Sequence, residues 1–152
     1  MTTIRDAVSA DHALICAWND ALARESEDKA LDAAALSAGV RRVLDDPKLG
    51  RYFIADIGGE PAGQMMLTWE WSDWRNGMFW WIQSVYVAPP FRSQGVFRAL
   101  YGHVEGLART ESAVAGLRLY VHDGNKSAIE VYRRLGMDDG HYRVMETLFG
   151  FE

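Results

Sequence analysis

The stretch richest in chemistry is Val85-Tyr86-Val87-Ala88-Pro89-Pro90-Phe91-Arg92-Ser93-Gln94-Gly95-Val96-Phe97-Arg98-Ala99-Leu100. It reads as a buried strand, a short loop with one glycine, and a helix opening at that glycine. The N–H groups of a helix's first turn have no acceptor within the helix, and the dipole behind them favours an anion. Gly95 lets a phosphate approach the backbone without meeting a Cβ, and Arg92 and Arg98 flank the turn with positive charge. These residues point to a phosphate or pyrophosphate ligand. The bland alternative is a glycine that only relieves crowding, between two solvated arginines. The Lys-Ser/Thr of a P-loop and the three glycines of a dinucleotide fold are both missing, which disfavours nucleotide hydrolysis and NAD chemistry.

A second stretch, Asn125-Lys126-Ser127-Ala128-Ile129-Glu130-Val131-Tyr132-Arg133-Arg134-Leu135-Gly136-Met137, reads as a helix over Asn125 to Leu135 with Gly136 as its stop. Asn125 and Tyr132 are seven residues apart, about two helical turns, so they share one face. Asn125 also suits an N-cap, and Tyr132 a packing position. Of the acids, Glu70 and Asp73 lie in Thr68-Trp69-Glu70-Trp71-Ser72-Asp73-Trp74. Glu70 alternates to the side opposite Trp69 and Trp71, while Asp73 fits a turn. Glu25 and Glu27 sit in a charged run that reads first as solvated surface.

Trp69, Trp71, Trp74, Trp80 and Trp81 gather around one hairpin, as core or cross-strand pairs or as aromatic walls for a cationic amine. Cys16 is the only cysteine and lies in an apolar helical stretch, so it reads as a small hydrophobe. His12, His103, His122 and His141 lack ligand spacing, and no metal is expected.

The elements that must hold these residues follow from periodicity and turn chemistry. A short strand over 2–8 precedes a helix carrying Leu14, Ile15, Trp18 and Leu22, which the charged run at 24–29 interrupts. A second helix spans Leu31 to Leu44, stopped before Pro47. Tyr52–Ile57 and Gln64–Trp71 form a hairpin about Gly58-Gly59-Glu60-Pro61. Asn76-Gly77 turns the chain into Met78–Val87, apolar on both faces and therefore central. A helix from Gly95 to about Ser112, a strand over Leu117–Val121, the Asn125 helix and a last strand over Tyr142–Phe149 complete the order βααβββαβαβ. That is an α+β, or mixed α/β, pattern in one domain over residues 1–152.

Composition agrees. The 152 residues are 49% apolar and 24% charged, with net charge −5, which fits an ordinary globular domain. The acidic balance and the absence of a basic stripe speak against a nucleic-acid partner. No apolar run reaches the ~18 residues of a membrane helix. The N-terminal residues lack a signal-peptide layout, so a cytoplasmic location is expected.

The two motifs together resemble the GCN5-related N-acetyltransferases, the GNAT family. Arg92-Ser93-Gln94-Gly95-Val96-Phe97 is similar to the family's Q/R-x-x-G-x-G/A coenzyme A motif, with Phe97 where Gly or Ala is usual. The Asn125–Met137 stretch resembles its N-x-x-A-x-x-x-Y-x-x-x-G-F/M pattern, with Ala128 and Tyr132 in place. The resemblance covers essentially the whole chain. It implies a central mixed, mostly antiparallel sheet flanked by helices, and acetyl-CoA as co-substrate. Val85 and Val87 would then bond the pantetheine arm through their backbone, Ser93 to Arg98 would wrap the pyrophosphate mainly through N–H groups, Asn125 would bond near the pantetheine, and Tyr132 would face the thiol sulfur, with Tyr86, Arg92 and Ala128 counted among the cofactor-binding residues.

The fourth-strand glutamate that many relatives use as a base is missing, since Trp80-Trp81-Ile82-Gln83-Ser84 stands there. Glu70 is the substitute expected from this sequence. By the same resemblance, Glu25 and Glu27 fall where an acceptor-binding loop lies. The implied activity is acetyl transfer to a small-molecule or peptide amine, with a homodimer as the oligomeric option. The rival is a non-catalytic acyl-CoA sensor of the same fold.

Overall fold

The structure is a computed structural model that describes residues 1–151. The described residues group into two compact units, Met1–Tyr120 and the residues from Val121 onward.

The first unit holds a five-stranded sheet in the order β1-β2-β3-β4-β5. Its strands are β1 (Thr2–Asp6), β2 (Arg51–Ile57), β3 (Glu60–Ser72), β4 (Gly77–Val87) and β5 (Val114–Leu119). The pairs β1–β2, β2–β3 and β3–β4 are antiparallel, and β4–β5 is parallel. Hairpins join β2 to β3 and β3 to β4, the second through Asn76 at φ 49°. The crossover from β4 to β5 needs a helix because parallel neighbours cannot be joined by a tight turn.

Helices cover both faces. Helices α1 (His12–Glu27) and α2 (Ala33–Asp45) build one layer, in which Ile15, Trp18 and Val40 meet Tyr52, Ile54 and Tyr86. Helix α3 (Val96–Thr110) takes the other face, burying Val96, Leu100, Tyr101, Val104 and Ala108. Strand alternation makes this division. On β2, Tyr52 and Ile54 join the α1/α2 layer, while the ring of Phe53 meets His103 of α3 edge-on at 5.4 Å. Fully burying a side chain such as Phe53 or Ile54 stabilises by roughly 1.5–3 kcal/mol.

Three expectations are corrected. The charged run does not end α1. The helix continues to Glu27 and closes on Asp28 at φ 50°, because its charges face water and Arg24 pairs with Asp20 one turn back at 2.9 Å. Strand β5 begins three residues earlier than its apolar core suggested, at Val114. The segment Tyr142–Phe149 is no strand among the described residues, because alternation gives a segment the pattern of a strand but not the ladder that makes it one.

The second unit contains α4 (Lys126–Arg134). Asn125 Oδ1 accepts the Ala128 N–H at 3.2 Å, so it caps the helix as its residue type suggests. Gly136 at φ 94° ends it, with the Met137 N–H returning to the Tyr132 carbonyl at 3.1 Å. No described helix is long and apolar enough to cross a membrane.

Candidate active site

The end of β4 and the start of α3 are joined by a 3₁₀ turn over Pro89–Phe91 and an exposed loop, Arg92–Gly95. Two residues there have left-handed backbone, Ser93 at φ 63° and Gly95 at φ 78°. Glycine adopts this at no steric cost, whereas serine is strained in it. Gly95 is the N-cap of α3 and supplies no side-chain acceptor. The first helical bond runs from Ala99 N–H to Gly95 O at 3.0 Å. A Cβ built on Gly95 would meet nothing within 4 Å, so the space beside this residue is open. Val96 is buried beneath it and Arg98 is exposed. Phe97 is half-buried with its ring 6.1 Å from that of Tyr101, packed along the flank of α3.

Arg92 is held in place. Its Nε donates to Val87 O at 2.9 Å and its Nη2 to Glu25 Oε1 at 2.6 Å. The other Glu25 oxygen accepts from the Tyr86 hydroxyl at 2.6 Å. Glu25, in the last turn of α1, is thus tied to the end of β4. The Tyr86 hydroxyl and then Arg92 hold its carboxyl below the usual carboxylate range. The Tyr86 phenol is pushed up by burial and by its bond to that carboxylate.

Just before this loop, β4 carries a bulge. Met66 pairs with Gln83 and Gln64 with Tyr86, so Met65 alone opposes Ser84 and Val85. Ser84 is left-handed at φ 50°. A bulge frees backbone groups from the ladder and re-aims them. It is supported from below: Gln64, fully buried on β3, donates through Nε2 to Ser84 O at 3.0 Å and to Asn19 Oδ1 at 2.9 Å. Asn19 donates in turn to the Tyr52 hydroxyl at 3.2 Å, and burial raises the pKa of that phenol. Gly63 beside it is obligatory, because a Cβ would stand 2.8 Å from Tyr86 O.

The expected residues separate into groups. Val85, Tyr86, Val87, Arg92, Ser93, Gln94, Gly95, Val96, Phe97 and Arg98 form one continuous bulge–loop–helix run in the first unit, with Gln94 Nε2 donating to Pro90 O at 3.1 Å. Asn125, Ala128 and Tyr132 lie on α4 or its cap in the second unit. Tyr132 is half-buried, and burial raises its pKa.

Glu70 stands elsewhere. It pairs with Phe79, six residues from Val85 along the sheet, roughly 20 Å at the rise of a strand. Its carboxylate binds Arg118 at 2.6 Å, with that guanidinium stacked 3.6 Å from the Phe79 ring centre. The geometry argues against its serving as a base at the bulge. Around the same hairpin, Trp69 and Trp80 meet edge-on at 5.5 Å, and Trp71 and Trp74 are exposed. Among the described residues, no three His, Cys, Asp or Glu side chains gather as metal ligands.

Sequence reading missed the bulge and its Gln64–Asn19 support, and placed little weight on Glu25. Two buried amides at 19 and 64 were the available signal, but their meeting depends on how α1 lies on the sheet.

Comparison with known proteins adds the family. Residues 11–137 match the model of the "Acetyltransferase (GNAT) family". A solved structure described as a possible acetyltransferase from Clostridium difficile 630 is 37% identical, with TM-score 0.92 over 98% of both chains. A thialysine N-epsilon-acetyltransferase of Caenorhabditis elegans is 38% identical over 80 residues, 53% of this chain and 49% of that protein. Its Bos taurus counterpart is 31% identical over 91 residues, 57% of this chain and 52% of that protein. The match thus spans about half the length of these curated relatives. With a family match over most of its length and motifs at both the Gly95 turn and α4, the chain belongs to the GNAT acetyltransferase family.

Proposed function

We propose that this protein transfers the acetyl group of acetyl-CoA directly to an amine, and that both units act as one catalytic domain. The observation that carries the reading is the bulge–loop–helix run from Ser84 to Arg98, whose loop closes on the left-handed Gly95, where a Cβ would meet nothing within 4 Å. The family match supports it and continues through the boundary between the units.

In this reading the pyrophosphate lies on the first turn of α3, where N–H groups and the helix dipole complement its charge. Arg98 adds a mobile cation. Arg92 turns from Glu25 to the phosphate, which leaves the Glu25 carboxylate to attract a cationic amine. The pantetheine runs beside Val85 and Val87. A backbone N–H freed at the Ser84–Val85 bulge polarises the thioester carbonyl and takes up the charge that develops on its oxygen. The amine nitrogen forms the new bond to carbon as the carbon–sulfur bond breaks, and Tyr132 returns a proton to the departing thiolate. With Glu70 remote and paired, the amine's proton leaves to water. The acceptors of the curated relatives suggest a small molecule with a side-chain-like primary amine. The compartment we favour is the cytoplasm.

Thiol release from acetyl-CoA in the presence of a panel of amines, thialysine and lysine among them, tests the reading. Amine-dependent release identifies the enzyme and its acceptor class. Tight acetyl-CoA binding without release for any amine would make the chain a sensor instead. Glu70→Gln is expected to leave the pH–rate profile unchanged, and a shift in its acidic limb would return Glu70 to the mechanism.

A further inference from the structure

The amine must lose a proton as it is acetylated, and the polar groups along β3 and β4 are poor takers. Glu70 is remote and bound to Arg118. Gln83, just before the bulge, is an amide whose Nε2 donates to Thr68 Oγ1 at 2.6 Å, and an amide does not titrate. Glu25 is different. Both its oxygens are engaged at the end of β4, Oε2 accepting from the Tyr86 hydroxyl and Oε1 from Arg92 Nη2, each at 2.6 Å. Tyr86 directly follows the Ser84–Val85 bulge, and its side chain leaves the sheet on the α1/α2 side. Its ring is held between Trp18, 6.2 Å away centre to centre, and the Arg92 guanidinium, 5.4 Å from the ring centre. A phenol carries one proton. That of Tyr86 is committed to a carboxylate in a short, charge-assisted bond, so toward any further partner its oxygen can only accept. An amine N–H is such a partner, and an amine drawn to Glu25 arrives beside it.

We propose that Tyr86 and Glu25 form a relay that takes the amine's proton, Tyr86 as the catalytic residue at the nitrogen and Glu25 as the acceptor behind it. The relay presupposes the acetyl transfer proposed above and supplies the proton's path to water. As nitrogen bonds to the carbonyl carbon, one N–H bond breaks and an O–H bond forms at Tyr86 Oη. In the same movement the original Tyr86 O–H bond breaks and its proton passes to Glu25 Oε2. The electron pair of the carbon–sulfur bond leaves with sulfur. Tyr86 ends as it began, and Glu25 gives its proton to water. Arg92 sets the timing. With the Tyr86 bond, it holds the Glu25 carboxyl low, and a carboxyl held low is a poor proton acceptor. Once Arg92 turns to the pyrophosphate the carboxyl gains proton affinity, so acetyl-CoA arms the relay.

Single-turnover thiol release tests this, using acetyl-CoA and whichever of thialysine and lysine the wild type uses best. Tyr86→Phe keeps the ring and deletes the relay oxygen. It is expected to lower the rate at saturating amine at least about tenfold, short of the ~10²–10⁴-fold that proton transfer contributes. Acetyl-CoA affinity by calorimetry and helical circular dichroism should stay as in the wild type. Glu25→Gln should show a similar loss, and the double variant no more than the larger of the two, because both remove one path. A Glu25 that only attracts a cation would instead raise the amine's KM and leave the saturated rate intact. That result, a Tyr86→Phe rate equal to wild type, or losses that multiply in the double variant would overturn the relay and leave acetyl transfer standing. A wild type that binds acetyl-CoA but releases no thiol with any amine would overturn acetyl transfer, and the relay with it. Should Glu25→Gln fail to fold, the saturated rate of Tyr86→Phe decides alone.

Discussion

At the scale of single residues, Gly95 separates two effects that a bulky substitution would confuse. Valine would both strain the left-handed backbone at φ 78° and fill the space before the helix. Asparagine tolerates that backbone and adds a side chain to the same space. Gly95→Asn should therefore keep its melting temperature within a few degrees while acetyl-CoA affinity falls at least about tenfold, or 1.4 kcal/mol. Calorimetric titration beside a thermal melt checks both. Tyr132 is a second case. Burial pushes its phenol up from the ordinary value, which makes it a reluctant acid. General acid assistance contributes ~10²–10⁴-fold, so Tyr132→Phe should lower turnover at least about tenfold, with acetyl-CoA affinity unchanged. Full turnover where chemistry limits the rate would leave the tyrosine a packing residue only.

The element that most needs support is β4. Its bulge is strained at Ser84, and the Gln64 amide donates to Ser84 O and to Asn19 from within the core. Gln64→Leu keeps most of the volume but leaves the buried Asn19 Oδ1 and the part-buried Ser84 O unmatched, at a cost of about 1–3 kcal/mol for the buried group. The expected outcome is a lower melting temperature together with a lower kcat, while KM for acetyl-CoA moves little. A fall in stability with kcat intact would show that the bulge holds itself. This is also where the sequence was least legible. Local signals located the Asn76 turn, the Gly95 turn and the Asn125 cap because each depends on a few neighbouring residues. The bulge depends on the register of β3 against β4. The Glu25–Arg92 pair joins residues far apart in the chain through the tilt of α1. The alternation at 142–149 is present in the sequence, yet no strand forms there among the described residues, because alternation is a local pattern and a ladder is not.

Across the molecule, acid stability rests on carboxylates that hold the first unit together. Arg5 binds Asp11 through two hydrogen bonds and Asp56 through one, while Asp11 also accepts the Val8 N–H at 2.7 Å. Arg5 holds the Asp11 carboxyl low, and Arg51 does the same for Asp6. A carboxyl depressed in the folded state is stabilising above its unfolded pKa, and the gain is lost as pH falls toward the folded value. The melting temperature should thus be flat above about pH 5 and decline below about pH 4. Asp11→Asn should be less stable near neutrality and show a shallower decline. Equal slopes would mean that other groups control acid unfolding.

The central claim is that acetyl-CoA binds along the bulge, loop and first turn of α3. Amide chemical shifts of isotope-labelled protein during titration with acetyl-CoA test it most directly. The account predicts the largest changes at Ser84–Val87 and Ser93–Arg98, with smaller ones at Asn125 and Tyr132. Saturable shifts confined to other residues, with the Ser93–Arg98 amides unmoved, would contradict it.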